Sequence, residues 1–318
     1  MFRWGILGCG DIAQKRVAGA ILEDSRSTLL GACRRDTNLL KTFAQQFDVM
    51  FVTSDASELV THPEIDAVYI ATPVHLHCEQ TIAAANAGKH VLVEKPMALD
   101  ADQCEQMVGA CRASKTTLGV AYYRPFYPAI RRIREILLSG TLGRPLSALV
   151  TTGNPNRFPP DDWRVVRSRG GGGPLMDIGS HRLDLLIDLF GYPTEVAGLT
   201  TSSPTFESEQ AATAVMKFES QCIGTLQCYF GTTNTPDRLE IIATDGRVQI
   251  EDLNGGELLL HDSNGTHHES HPPATNFHAP LIADFTAALT TGSDPTVTGE
   301  RGMQTNRLLE SIYRTAKW

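Results

Sequence analysis

A short apolar run, Phe2 to Leu7, breaks into Gly8-Cys9-Gly10-Asp11-Ile12-Ala13 and continues in helical pattern to about Leu22. Few folds are open to a strand that turns through G-x-G-x-x-A into a helix. The first glycine permits the tight turn and the second lets a ligand approach the backbone. The helix start offers unpaired amides and the positive end of a dipole. The spacing predicts an α/β sheet with a pyrophosphate held by Gly8, Gly10, Asp11, Ile12 and Ala13. A glycine motif alone is weak evidence, and its place directly behind the first strand gives it weight.

The second strand, Thr28 to Cys33, runs into Arg34-Arg35-Asp36, where a dinucleotide fold places an acid for the ribose hydroxyls. Two arginines stand first off this strand, and their planar forks suit a 2′-phosphate. NADP is therefore preferred over NAD as the expected cofactor, with Asp36 left as an alternative ribose ligand. Helical pattern at Asn38 to Gln46 and Ser57 to Val60 alternates with strands at Val49 to Thr53 and Asp66 to Ala71. The last of these ends in Thr72-Pro73-Val74-His75-Leu76-His77, a loop placed to cover the nicotinamide side of the cofactor, with His77 near the next helix start. His75-x-His77 lacks a third ligand at useful spacing, so no metal is expected. Gly88-Lys89-His90 then leads to Val-Leu-Val-Glu-Lys-Pro over residues 91–96, which delivers Glu94 and Lys95 to the edge where such sheets bind ligands. Taken alone, a surface Glu-Lys pair before a turn proline reads equally well.

Together, Gly8-x-Gly10-x-x-Ala13, Ala71-Thr72-Pro73, His77, Gly88-Lys89-His90-Val91 and Glu94-Lys95-Pro96 resemble the Gfo/Idh/MocA family of nicotinamide-dependent oxidoreductases. The resemblance implies a Rossmann dinucleotide-binding domain over residues 1–121 with Thr72, Pro73, His77, Glu94 and Lys95 on the cofactor side. It also implies a substrate-binding and oligomerisation α+β domain over 122–318. Tyr123, just past the joint, becomes a substrate contact on this reading.

In the second half, Pro128 to Ser139 reads as a basic amphipathic helix closed by Gly140. Its Arg131, Arg132, Arg134 and Glu135, with Arg124 nearby, read as a solvated face. Past Trp163-Arg164 and the glycines 170–173, a helix carries Asp177, His181, Asp184 and Asp188 at spacings of four, three and four, on one face. By pattern alone an aspartate-histidine pair on a helix surface explains this equally well. The segment Gly-Gly-x-Leu-x-Asp-x-Gly-x-His-x-x-Asp resembles the second signature of the same family, which implies Lys95, Asp177 and His181 as the catalytic and substrate-binding group, with Arg164 approaching the nicotinamide.

From Thr194 to about His261 the pattern switches to period two. It predicts a large open, predominantly antiparallel sheet, including a hairpin through Asp245-Gly246. Apolar residues of both parities, among them Val215, Ile223 and Tyr229, leave an outer face that is not fully polar. A homodimer or homotetramer through this sheet is expected. The tract His261, His267, His268 and His271 reads as a solvated loop rather than a metal site.

With 28 basic and 36 acidic residues the formal charge is −8, which argues against a nucleic-acid surface. No apolar run approaches a membrane span, and the seven scattered cysteines contain no Cys-x-x-Cys pair, so a cytoplasmic protein with reduced thiols is expected. The residues and the resemblance together imply hydride transfer between NADP or NAD and a secondary alcohol or ketone of a sugar, sugar derivative or polyol. Lys95 and His181 compete as the proton carrier. A glycosidase with tightly bound, recycled NAD and a non-catalytic dinucleotide sensor are the alternatives.

Overall fold

The computed structural model describes residues 1–316 and divides into two compact units, Met1–Tyr123 with Ala274–Met303, and Arg124–Pro273 with Gln304 onward. The first unit runs to Tyr123, beside the expected division at residues 121 and 122, and also takes in Ala274–Met303. The helix Ala279–Thr291 buries Leu281, Ile282 and Phe285, and the Phe285 ring lies 5.6 Å from that of Trp4 in the first strand. Core packing, not chain order, decides the membership of this segment.

The first unit holds six parallel strands: β1 (Phe2–Leu7), β2 (Ser27–Cys33), β3 (Phe51–Thr53), β4 (Ala67–Ile70), β5 (His90–Val93) and β6 (Leu118–Val120). Their order is β3-β2-β1-β4-β5-β6. Trp4 to Leu7, Ala67 to Ile70 and Val91 to Val93 are buried without interruption, as strands enclosed on both faces require. Strand order reverses between β1 and β4, and the crevice beyond their carboxyl ends is where such sheets take ligands.

The second unit carries an eight-stranded sheet: β7 (Pro145–Asn154), β8 (Glu195–Ser202), β9 (Glu209–Lys217), β10 (Ile223–Phe230), β11 (Arg238–Ala243), β12 (Gly246–Ile250), β13 (Glu257–Asp262) and β14 (Gly265–Ser270). Its order is β14-β13-β12-β11-β7-β10-β9-β8, antiparallel except for β7 with β10. One face is a continuous apolar layer in which Gly198, Ala214, Leu226, Val150, Leu239 and Ile250 lie in register across six strands, all buried. The hairpin between β11 and β12 turns through Thr244-Asp245, one residue earlier than expected, because Gly246 already pairs with Ala243. The histidine tract is likewise not a loop. His267 and His268 lie on the edge strand β14, paired with Leu260 and Leu259, and backbone pairing there needs no apolar alternation.

The helix Pro128–Ser139 begins on its proline and closes at Gly140, whose φ is +73°. Its arginines are not simply a solvated face. Arg132 grips Glu269 at 2.7 and 2.9 Å, Arg134 pairs with Asp188, and buried Arg124 donates to Asp237 at 3.2 Å.

The segment with Asp177 and His181 opens with a turn of π-helix, Leu175–Gly179, and continues as the α-helix Ser180–Phe190. Leu183, Leu185 and Leu186 are fully buried, and Phe190 meets Phe218 at 5.3 Å. Its start is held by one buried carboxylate. Glu209 accepts from the Gly173 amide at 2.9 Å, the Leu175 amide at 3.1 Å and the Tyr313 hydroxyl at 2.9 Å. Burial pushes this carboxyl above its ordinary range, against the pull of those donors. A Cβ on Gly173 would stand 2.2 Å from the Glu209 carbonyl oxygen, so the glycine run admits protein backbone at this point. Glu209→Ala orphans two amides and a hydroxyl, at about 1–3 kcal/mol for each buried group left unpaired. We expect chemical denaturation to show a loss of several kcal/mol for Glu209→Ala and a smaller one for Glu209→Gln, whose amide oxygen still accepts.

Candidate active site

In the first unit the site is built at the carboxyl ends of β1, β2, β4 and β5. Gly8 turns the chain off β1 with φ +89°, and a Cβ there would lie 2.8 Å from the Ala71 carbonyl and the Thr72 amide nitrogen. Conformation and space both demand glycine. Gly10 differs, since a Cβ on it would meet no atom within 4 Å, which leaves an opening for a ligand at the helix start. Asp11 is exposed and pairs with Lys15 at 2.7 Å, Ile12 is half-buried, and Ala13 is fully buried. Burial pushes the Cys9 thiol up to about 12, so this residue of the turn is core packing.

Arg34, the first residue off β2, donates to the Cys9 carbonyl and so sits on the glycine turn itself. Arg35 beside it is exposed. The Asp36 carboxylate caps the helix Thr37–Phe47, accepting from the Asn38 and Leu39 amides at 3.0 Å each. These residues fit a dinucleotide: open space at Gly10, helix-start amides, and the Arg34 guanidinium on the turn.

Beyond β4, Thr72 donates from its hydroxyl to Gln80 at 2.6 Å, and Pro73 enters a short 3-10 turn, Val74–Leu76. His77, expected among the cofactor contacts, is a buried brace. Its Nε2 lies 2.8 Å from the Thr72 carbonyl, and its Nδ1 lies 3.1 and 3.3 Å from the Pro96 and Met97 carbonyls. The ring thus ties the loop after β4 to the loop after β5. Burial lowers its proton affinity more than those carbonyls restore it.

Lys95 is half-buried just past β5. The Glu94 carboxylate, expected on the cofactor side, turns into the fold. Its Oε1 accepts from the Tyr69 hydroxyl at 2.7 Å and lies 3.3 Å from His278 Nε2, and its Oε2 accepts from the Lys95 amide at 3.1 Å. Tyr123 packs its ring 5.0 Å from His278 and 6.0 Å from Phe277. Tyr69 and His278 were not legible as site residues, because no motif contains either.

In the second unit, half-buried Asp177 and buried His181 stand one helical turn apart on one face of the segment Leu175–Phe190. The stripe they begin continues into Asp184, fully buried, and Asp188, paired with Arg134. The stripe is therefore not a solvent face. Arg182, on the same helix, donates to Asp237 and, at 3.2 Å, to the Thr152 hydroxyl. Burial opposes the charge on Asp237, yet Arg182 and Arg124 hold its carboxyl below the ordinary range. Arg164 is fixed by Asp162 at 3.2 Å, with its guanidinium 4.5 Å from the Trp163 ring centre. Among the described residues, no group of three or more His, Cys, Asp or Glu is arranged to hold a metal ion. No helix among them is long and apolar enough to cross a membrane.

Residues 2–122 match the oxidoreductase family with an NAD-binding Rossmann fold, and residues 130–249 match the GFO/IDH/MocA C-terminal domain. A 1,5-anhydro-D-fructose reductase of Ensifer adhaerens is 30% identical over 312 residues, covering 95% of this chain and 92% of that protein. A D-xylose 1-dehydrogenase (NADP(+)) of Haloferax volcanii is 27% identical, over 99% of this chain and 97% of that protein. The crystal structure of an aldose-aldose oxidoreductase from Caulobacter crescentus superposes with a TM-score of 0.92 at 26% identity, covering 99% of this chain and 97% of that one. Two matched domains in order, a relative that spans nearly the whole chain, and a glycine turn with open space at Gly10 converge on one assignment: this chain is a member of the Gfo/Idh/MocA family of NAD(P)-dependent oxidoreductases.

Proposed function

We propose that this oxidoreductase transfers hydride between NADP and a secondary alcohol or ketone of a sugar, sugar derivative or polyol, with Lys95, Asp177 and His181 around the substrate. What supports this reading lies in each unit by itself: a lysine at the end of β5 in a dinucleotide fold, and an aspartate and histidine one turn apart on a helix held from within. The sugar class follows the relatives' names, a reductase of anhydrofructose and a dehydrogenase of xylose.

Gly8, Gly10, Ile12, Ala13, Thr72 and Pro73 would hold the dinucleotide by backbone and turn. When bound, its nicotinamide supplies or takes the hydride. Lys95 Nζ and the His181 imidazole are the two groups able to move a proton at the substrate oxygen. Asp177 orients the histidine or accepts from sugar hydroxyls, and Tyr123 and Arg164 border the substrate and nicotinamide. The NADP preference rests on Arg34 at the glycine turn, exposed Arg35, and an Asp36 whose carboxylate already caps a helix. A cytoplasmic location fits seven free thiols.

The second sheet face favours a second copy of the chain as partner. Ala197, Val215, Thr225 and Leu149 lie in register across it, with Leu199, Ile223 and Ile242 also exposed. Glu240, buried in the next position of the row, is held by Arg238 at 2.7 Å and Arg247 at 3.2 Å. An apolar patch bordered by ion pairs is the composition of an interface.

Three outcomes test these statements. Lys95→Met should lower turnover by about 10²–10⁴-fold, the range for losing a proton-transfer group, while dinucleotide binding by fluorescence titration persists. Wild-type turnover in that variant would overturn the assignment. Replacing Arg34 and Arg35 together by alanine should weaken NADPH by about tenfold or more, with little change for NADH, since hydrogen bonds to a charged group contribute about 1.5–3 kcal/mol. Equal losses for both nucleotides would contradict the NADP reading. Leu149→Asp with Val215→Asp should shift sedimentation equilibrium from an oligomer to the monomer without loss of the cooperative melt.

A further inference from the structure

Glu94 is 9% exposed, yet every oxygen of its carboxylate is assigned. Oε1 belongs to the Tyr69 hydroxyl and His278 Nε2, and Oε2 to the amide of Lys95. An ionised carboxylate only accepts, so His278 must carry its proton on Nε2 toward it. Its Nδ1 has no hydrogen-bond partner among the described residues, which agrees with the bare lone pair of that tautomer. The histidine is itself fixed. Its backbone amide donates to Asn276 Oδ1 at 3.1 Å, and the Asn276 amide donates to the Arg16 carbonyl at 2.8 Å. Arg16 also donates to the Thr275 carbonyl at 3.0 Å and lies over the Phe277 ring at 4.5 Å. A chain of contacts therefore runs from the helix after the glycine turn, through residues 275–278, to the residue before Lys95.

We propose that Tyr69 and His278 form a buried clamp on Glu94 that fixes where its negative charge stands relative to Lys95, and that both are positioning residues for the proton transfer Lys95 performs. The role given to Lys95 rests on the proposed function. Burial opposes the Glu94 charge most strongly, but the His278 hydrogen bond, the charge of Lys95 and the Tyr69 hydroxyl hold its carboxyl below the usual range. The titratable groups facing it are Tyr69 on β4, His77 on the following helix, Lys95 on its own segment and His278 before Ala279, with Tyr123 against Tyr69 and His278. Without a clamp donor the carboxylate is drawn toward the cation whose charge already acts on it, Lys95. The proton affinity of Lys95 then rises.

The test is the pH dependence of Lys95 acylation by acetic anhydride, read by peptide mass spectrometry, in wild type, His278→Phe, His278→Gln and Tyr69→Phe, beside kcat and KM for each. The glutamine amide nitrogen takes the place of Nε2 and should label like wild type. His278→Phe and Tyr69→Phe should raise the Lys95 labelling midpoint by about half a pH unit or more and lower kcat by about three- to tenfold, leaving the KM for dinucleotide in place. Tyr69→Phe differs only by its hydroxyl, so it decides the matter if His278→Phe fails to fold. Midpoints equal to wild type in folded Tyr69→Phe and His278→Phe, or a glutamine variant that behaves like phenylalanine, would overturn the clamp. Labelling needs no substrate. A shifted midpoint in a protein that turns over no sugar would therefore uphold the clamp and defeat the functional reading alone.

Discussion

The parallel alignment of β1, β2, β4 and β5 places four loops at one edge of one sheet. The site in the first unit depends on that constraint, because Gly8, Arg34, Thr72 and Lys95 are separated widely in sequence and share only their position past a strand end. Each loop is then trimmed by a contact to its neighbour: Arg34 to the Cys9 carbonyl, His77 between the Thr72 and Pro96 carbonyls. A single slip of strand register would redistribute all of them.

Both units use a buried carboxylate to hold the segment proposed to carry chemistry. Glu94 takes the amide of Lys95, and Glu209 takes the amides at the head of the segment with Asp177 and His181. Asp237, between Arg124 and Arg182, fixes the same helix about two turns further on. Buried charges of this kind add little net stability, since desolvation offsets the attraction, but removing one partner leaves the other without compensation. Their effect is to select one geometry. Catalysis by proton transfer depends on heavy-atom distances, which makes such selection useful at these two segments.

The strands and helices with strong periodicity or clear punctuation were legible in the sequence: Phe2–Leu7 before its glycines, and Pro128–Ser139 between a proline and Gly140. The placement of the motif residues was legible too: Lys95 stands just past β5, and Asp177 and His181 stand one turn apart on a helical segment. Partners were not legible. Glu94 and His278 lie 184 residues apart, Glu209 and Tyr313 104, and Arg182 and Asp237 55, so no local pattern could pair them. The return of Ala274–Met303 to the first unit was hidden for a related reason: an apolar helix face records that it is buried, not against what. The histidine tract misled because an edge strand is specified by backbone pairing, which polar residues satisfy as well as apolar ones.

The most direct measurement is isotopic. NADPH carrying deuterium at the reactive nicotinamide carbon is supplied with a panel of ketoses and anhydroketoses, and each product is examined by mass spectrometry and NMR. Stoichiometric oxidation of the nucleotide, with one deuterium on a single carbinol carbon of the product, is what a sugar oxidoreductase with an exchanging cofactor must give. Product formed with no net nucleotide oxidation, and with hydrogen drawn from solvent, would contradict that account and point to a bound cofactor recycled within each turnover.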